Sequence, residues 1–238
     1  MPLEDFGRFI LLTNFYRYLQ SFSKRYDVSV MGEGGPMQAA TNKDGLTCIN
    51  FGIGSPNAAT VMDLLSAVDP CAVLFLGKCG GLKERTGIGH FVLPIAAIRG
   101  EGTGLDYYPL EVPALPSFNL HDFVGHRLRH KRIEYSTGVI YTTNRRVWEW
   151  DTKFKEYLKN IRATAIDMET ATIFLVGHYN GIPRGALLLV SDQPMMPEGV
   201  KTAEKDREVT EKYSELHLDL GIETMETVMK SEENVKHL

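Results

Sequence analysis

Two carboxylates in the passage Ala165 to Pro194, AIDMETATIFLVGHYNGIPRGALLLVSDQP, are placed to do chemistry. The DME triplet at Asp167 to Glu169 suits a helix N-terminus, where free backbone N–H groups and the positive dipole end favour acids. Met168, Ala171, Thr172, Leu175 and Tyr179 then recur at helical spacing, so this helix is expected to bury one face, and Asn180, Gly181 and Pro183 stop it. The continuous apolar run Ala186 to Val190 predicts a strand covered on both sides, ending in Ser191, Asp192, Gln193 and Pro194. Ligands of open α/β sheets bind beyond the carboxyl ends of the strands, so Glu169 and Asp192 could face one pocket. Each acid also has a purely structural reading, Glu169 as a dipole-complementing residue and Asp192 as a turn residue.

The elements that would position them follow the same pattern along the chain. Phe9 to Phe15, FILLTNF, predicts a first strand, and Tyr16 to Tyr26 a helix that starts near Arg17. A guanidinium at that strand-to-helix turn could meet an anion, or could be a solvated helix-face residue. Val28 to Met31 and Leu46 to Gly52 read as extended segments either side of a Gly-, Asn- and Asp-rich loop. GIGSPNAAT, Gly52 to Thr60, lets backbone approach a ligand, and its Asn57 can help to start the next helix. It is not a Walker loop, because the GK[ST] ending is missing. Cys71 to Leu76 is a buried strand, followed by the glycine-rich turn GKCGGL with Lys78. Phe91 to Ile98 is a further strand, Arg99 to Pro109 a loop and His121 to His130 a helix. Tyr135 to Tyr141 is a strand with Thr142, Thr143, Asn144, Arg145 and Arg146 at its carboxyl end. The two arginines could clamp a phosphate or pair with surface carboxylates. Trp148 to Lys159 reads as an exposed helix, Thr202 to His217 as a charged helix, and a separate amphipathic helix ends near Met229.

Composition narrows the partners. At 238 residues and 43% hydrophobic, the chain fits one α/β domain, residues 1–238, with an ample core. Thirty acidic against twenty-six basic residues leave a net charge of −4, so no bulk attraction to nucleic acid or an anionic membrane is expected and the partner should be a small molecule. Cys48, Cys71 and Cys79 lack CxxC spacing, which argues against a disulfide framework or a zinc site and for a reducing cytoplasm. The N-terminal apolar run is too short to span a bilayer and lacks a basic flank. The succession of strands and helices implies a three-layer α/β/α domain with a mixed, twisted sheet.

Taken together, FILLTNF, GIGSP, GKCGGL, RGEGT, DMET and SDQP resemble the purine nucleoside phosphorylase and nucleosidase superfamily over almost the whole chain, and the resemblance is strongest to the branch that hydrolyses AMP. The resemblance implies that Met168 and Glu169 hold the ribose and that Asp192 protonates the departing purine beside Ser191. It also implies phosphate contact by Arg17, packing of the loop around Asn57 beside the site, and base, sugar and phosphate contacts from Thr143, Arg145 and Arg146. A cation near Asp192 is implied too, with Lys201 and Lys205 as candidates. The superfamily's phosphorylases carry Arg-x-Gly-[Ser/Thr] where this chain has Phe75 and Lys78. A phenylalanine cannot bind phosphate, so the expected attacker is water, with Lys78 meeting a phosphate carried by the substrate. Glu33, in the GEGG loop, is a candidate for activating that water. The reaction expected is therefore hydrolysis of the N-glycosidic bond of AMP to adenine and ribose 5-phosphate, with no cofactor or metal, in a homo-oligomer that by resemblance is a hexamer. A phosphorylase, or a nucleotide-binding protein without catalysis, are the alternatives. Larger members carry an N-terminal regulatory region, and a chain that begins at the catalytic domain puts that mode of allosteric control in question.

Overall fold

The computed structural model describes residues 1–196, 199 and 202–231. Its strands are β1 (Phe9–Thr13), β2 (Gln38–Thr41), β3 (Leu46–Asn50), β4 (Ala72–Gly81), β5 (Phe91–Gly100), β6 (Tyr135–Thr143), β7 (Ala165–Asp167) and β8 (Arg184–Asp192). The helices are α1 (Tyr16–Tyr26), α2 (Ser55–Leu65), α3 (Phe118–His130), α4 (Thr152–Asn160), α5 (Thr170–Tyr179) and α6 (Ala203–Lys230).

Side chains alternate across the central strands as a period of two demands. Ile10 and Leu12 of β1, Val73 and Phe75 of β4, and Ala186, Leu188 and Val190 of β8 pack with α2 and α5. Leu11, Leu74, Leu76, Leu187 and Leu189 point the other way, into a second core with α1, α3 and α6. Both faces are covered, which is why these strands read as unbroken apolar runs. The expected three-layer α/β/α arrangement around a mixed sheet is present.

The strand order is β2-β3-β1-β4-β7-β6-β5-β8, and β4 also pairs with β8. Strand β4 therefore has three neighbours: β1 along Ala72 to Leu76, β8 along Val73 to Gly80, and β7 at Gly80 and Gly81. The ring β4-β8-β5-β6-β7 closes on itself, while β1, β3 and β2 extend from it as an open wing. Closure needs strands without bulk at the seam, and a Cβ on Gly81 would lie 2.1 Å from the Thr86 carbonyl oxygen.

Several elements differ from expectation. Val28 to Met31 is not a strand; only Met31 bridges to Ala39, and the turn at Gly32 and Gly34, both with positive φ, delivers β2 antiparallel to β3 instead. Helix α5 buries every residue from Thr170 to Gly177, not one face, because it lies between the sheet and α2. The stretch from Trp148 is helical only from Thr152, where the Asp151 carboxylate accepts from the Phe154 N–H at 3.0 Å, and Trp148 is buried. The two C-terminal helices are one, α6. Within it, Gly221 is the crossing point over β4, where a Cβ would lie 2.5 Å from Leu76.

Candidate active site

The carboxyl ends of β1, β4, β6, β7 and β8 converge on one cleft of about 280 Å³, close to the lower end of ligand sites at roughly 300 Å³. Among its lining residues are Met168, Glu169, Ser191, Asp192, Lys78, Thr143, Arg145 and Arg146, eight of the residues singled out from the sequence.

Glu169 is 2% exposed and sits at the N-cap position of α5. Its side chain does not cap that helix; Asp167 does, accepting from the Thr170 N–H at 2.8 Å and the Thr170 hydroxyl at 2.5 Å, and from the Thr142 hydroxyl at 2.7 Å. Glu169 is thereby left to point into the cleft. The Gly54 N–H donates to its Oε1 at 2.8 Å and the Met168 N–H to its Oε2 at 3.3 Å, and Asn14 adds a side-chain hydrogen bond. Burial, and then the negative charge of Asp167, push Glu169 up to about 8. Burial also raises Asp167, against the hydrogen bonds from Thr170 and Thr142 that favour its charged form.

Asp192 ends β8 opposite Gly80 and is 7% exposed. The Ser191 hydroxyl donates to its Oδ1 at 2.6 Å. A Cβ on Gly80 would come within 3.2 Å of Oδ2 and 3.1 Å of Pro194, so this position must be small for the carboxylate to keep its place.

Lys78 is not a solvent-reaching loop residue but part of β4, with its side chain 2% exposed. Its ammonium donates to Asp206 at 2.8 Å and Thr210 at 2.6 Å, both on α6, and stands 4.2 Å from the centre of the Phe15 ring. Phe75, three residues earlier, is wholly buried beside Phe51, with ring centroids 5.8 Å apart. Arg145 and Arg146 stand at the mouth, roughly half exposed, paired with Asp151 at 2.9 Å and with Glu149 at 3.7 Å.

Three expected residues are elsewhere. Arg17 lies on the exposed face of α1 with Gln20 and Lys24, because the strand ends at Thr13 and Asn14 and Phe15 take the positions that face the cleft. Asn57 is exposed and donates to the Ile53 carbonyl at 3.0 Å, bracing the GIGSP turn; the turn reaches the site through Ile53 and the Gly54 N–H. Glu33 is exposed in a turn and does not line the cleft. Lys201, and the side chain of Lys205, lie outside the described residues.

Asn14, Asp167, Glu149 and Asp206 line the cleft without having been singled out as site residues. Asp167 ends a strand and Asn14 directly follows one, so the rule that located Asp192 could have found them. Glu149 was hidden in a supposed helix, and Asp206 carries no local signal. Among the described residues no group of three or more His, Cys, Asp or Glu is placed to hold a metal ion. None of the three cysteines forms a disulfide, and no described helix is long and apolar enough to cross a membrane.

A mixed sheet whose strand ends gather buried carboxylates, a DMET helix start and an SD strand end marks a class, and comparison with known proteins agrees. The sequence matches the Phosphorylase superfamily over residues 22–225, and the chain belongs to that family. Within it, the chain is similar to AMP nucleosidase. The Escherichia coli (strain K12) protein of that name is 29% identical over 94% of this chain. The chain spans about half the length of that curated relative, 56%. A crystal structure of AMP nucleosidase from Bacteroides thetaiotaomicron is 49% identical with a TM-score of 0.86, covering 97% of this chain and 92% of that one. Uridine phosphorylase from Vibrio fischeri superposes almost as well, with a TM-score of 0.85 at 19% identity over 95% of this chain and 94% of that one, and shows the shared fold alone.

Proposed function

We propose that the chain acts as one catalytic unit that hydrolyses the N-glycosidic bond of AMP, releasing adenine and ribose 5-phosphate, and that it works as a homo-oligomer in the cytoplasm. The observation that carries this reading is the pair Phe75 and Lys78 on β4. Where the superfamily's phosphorylases resemble one another in an arginine and a hydroxyl for inorganic phosphate, this chain has a phenyl ring sealed in the core and an ammonium held by Asp206 and Thr210. Water is then the attacker. The similarity to AMP nucleosidases supports the same choice.

Cleavage builds positive charge on the ribose and negative charge on the purine, so the site gains by neutralising the base as it leaves. Asp192 is the acid that gives a proton to purine N7, with its orientation set by the Ser191 hydroxyl. Glu169 accepts the ribose hydroxyls and Met168 packs on the sugar; ionised, its two oxygens also favour the cationic sugar of the transition state. Five carboxylates and three cations line the cleft. With Lys78 already engaged by Asp206, the substrate's phosphate belongs at the mouth, beside Thr143, Arg145 and Arg146.

A product assay with AMP and adenosine, each with and without inorganic phosphate, tests this. Adenine and ribose 5-phosphate should form from AMP at a rate that phosphate does not raise. Phosphate-dependent cleavage yielding a sugar 1-phosphate would replace the assignment with a phosphorylase, and binding of AMP without turnover would replace it with a nucleotide-binding protein.

A further inference from the structure

Asn14 lines the cleft from the position after β1, and the proposed mechanism gives it no work. Its backbone is tied down on both sides. The Thr13 carbonyl accepts from the Phe51 N–H at 3.0 Å, and the Thr13 hydroxyl accepts from the Phe15 N–H at 3.3 Å. The two ends of the Asn14 amide have unequal surroundings. One end makes the side-chain hydrogen bond to Glu169 and favours the charged form of that acid, so it is the Nδ2 donor. The opposite turn of the amide would set a carbonyl against a carboxylate. The other end, Oδ1, is buried and has no hydrogen-bond partner among the described residues. A buried acceptor left unpaired costs stability, so the fold gains nothing from an amide here that an apolar side chain of the same shape would not give.

What the amide does offer is its donor. The other hydrogen bonds to the Glu169 carboxylate among the described residues come from backbone, the Gly54 N–H ahead of α2 and the Met168 N–H beside Glu169 itself. Asn14 adds a side chain from a third place, the end of β1. We infer that Asn14 is a positioning residue for ribose recognition, its Nδ2 holding the Glu169 carboxylate in place as the acceptor of the ribose hydroxyls. The inference rests on the proposed AMP hydrolysis and adds the residue that keeps Glu169 fit for its task. Glu169 shares the cleft with Asp167, Asp192, Asp206 and Glu149, and with Lys78, Arg145 and Arg146. Of these charged groups Asp167 bears on it most and favours its protonated form, and Asn14 opposes that push.

Asn14→Leu, which keeps the branched shape and removes both polar atoms, tests this. At pH 7 it should lower kcat/KM for AMP roughly tenfold or more and that for 2′-deoxy-AMP much less, because the loss reaches the substrate through Glu169 and a ribose hydroxyl. Without the donor Glu169 gains its charge at higher pH. The rise of kcat/KM with pH should therefore move upward, and the variant should recover part of its loss on AMP as pH is raised past about 8. Its urea midpoint should be no lower than that of the wild-type protein, since the unpaired Oδ1 is gone. Asn14→Asp, which turns the donor into a second carboxylate, should move the pH profile further still. Equal losses on the two nucleotides, or a profile parallel to that of the wild type, would overturn the inference. A urea midpoint that falls with the activity would make Asn14 a structural residue and overturn it as well. Failure of the function itself reads differently, as no adenine released from AMP by the wild-type protein.

Discussion

The proposed reaction asks opposite tasks of two carboxylates in one cleft. Asp192 must deliver a proton, and Asp192→Asn should keep AMP binding while lowering turnover roughly a hundredfold or more, the contribution typical of a general acid. Turnover near the wild-type rate, followed by adenine release, would remove it from the mechanism. Glu169 must accept hydroxyl protons, yet burial and Asp167 push it up to about 8, so in the unliganded site at pH 7 it is mostly protonated. Ribose hydroxyls favour the charged form, so ribonucleotide binding at pH 7 should release a proton, and affinity should rise with pH and level off above about 8. Calorimetry in buffers of different ionisation enthalpy reads that proton directly, and a binding enthalpy independent of buffer would refute it. Glu169→Gln should cost much more on AMP than on 2′-deoxy-AMP, since the interaction lost is with a hydroxyl.

At the scale of elements, the site depends on two glycines, one for its backbone conformation and one for a close approach. The GIGSP turn presents the Gly54 N–H to Glu169 from a φ of 95°, a conformation that disfavours any other residue. Helix α6 crosses β4 at Gly221, and beyond that crossing His217 ties the helix to the sheet and to α1. The Leu187 carbonyl accepts from Nε2 at 2.9 Å, which leaves Nδ1 to accept from the Tyr18 hydroxyl at 3.0 Å. Burial holds His217 neutral, down to about 3. This anchorage places Asp206 against Lys78 at the helix start. Gly221→Ala would drive a methyl to within 2.5 Å of Leu76 and should destabilise the protein by about 1–3 kcal/mol, the usual cost of overpacking, measured as a lowered urea midpoint. It should also weaken catalysis by shifting α6. A variant as stable as the wild type would show that the crossing has slack.

For the whole molecule, the raised acid makes stability depend on pH in an unusual direction. Between the ordinary glutamate value of 4.5 and about 8, folded Glu169 binds more protons than the unfolded chain does, so its contribution is fully present below 4.5 and is lost as pH rises towards 8. Urea midpoints measured across that window should fall more steeply for the wild-type protein than for Glu169→Gln. Parallel curves would show that Glu169 is charged in the fold throughout.

The amino-acid order alone determined the layers, because runs such as Ala186 to Val190 are apolar on both faces and strand only where helices cover both. It also determined the acids, since a carboxylate at a helix start and another at a strand end have few ways of not meeting at the top of a sheet. Phe75 was legible for the same local reason: a residue type either can or cannot bind an anion. Closure of the ring and the path of α6 were decided only by tertiary structure. The pairing of β4 with three strands is a set of long-range contacts with no period to betray it, and Gly221 has no evident role until the sheet beneath it is known. The same ignorance of contacts put Arg17 in the site, whereas it lies on the exposed face of α1, and concealed Glu149, whose neighbour Trp148 packs into a small core with Leu158 and Ile166. Glu169 itself was found as a residue type, but its raised affinity for a proton exists only where burial in the cleft and the charge of Asp167 are brought around it.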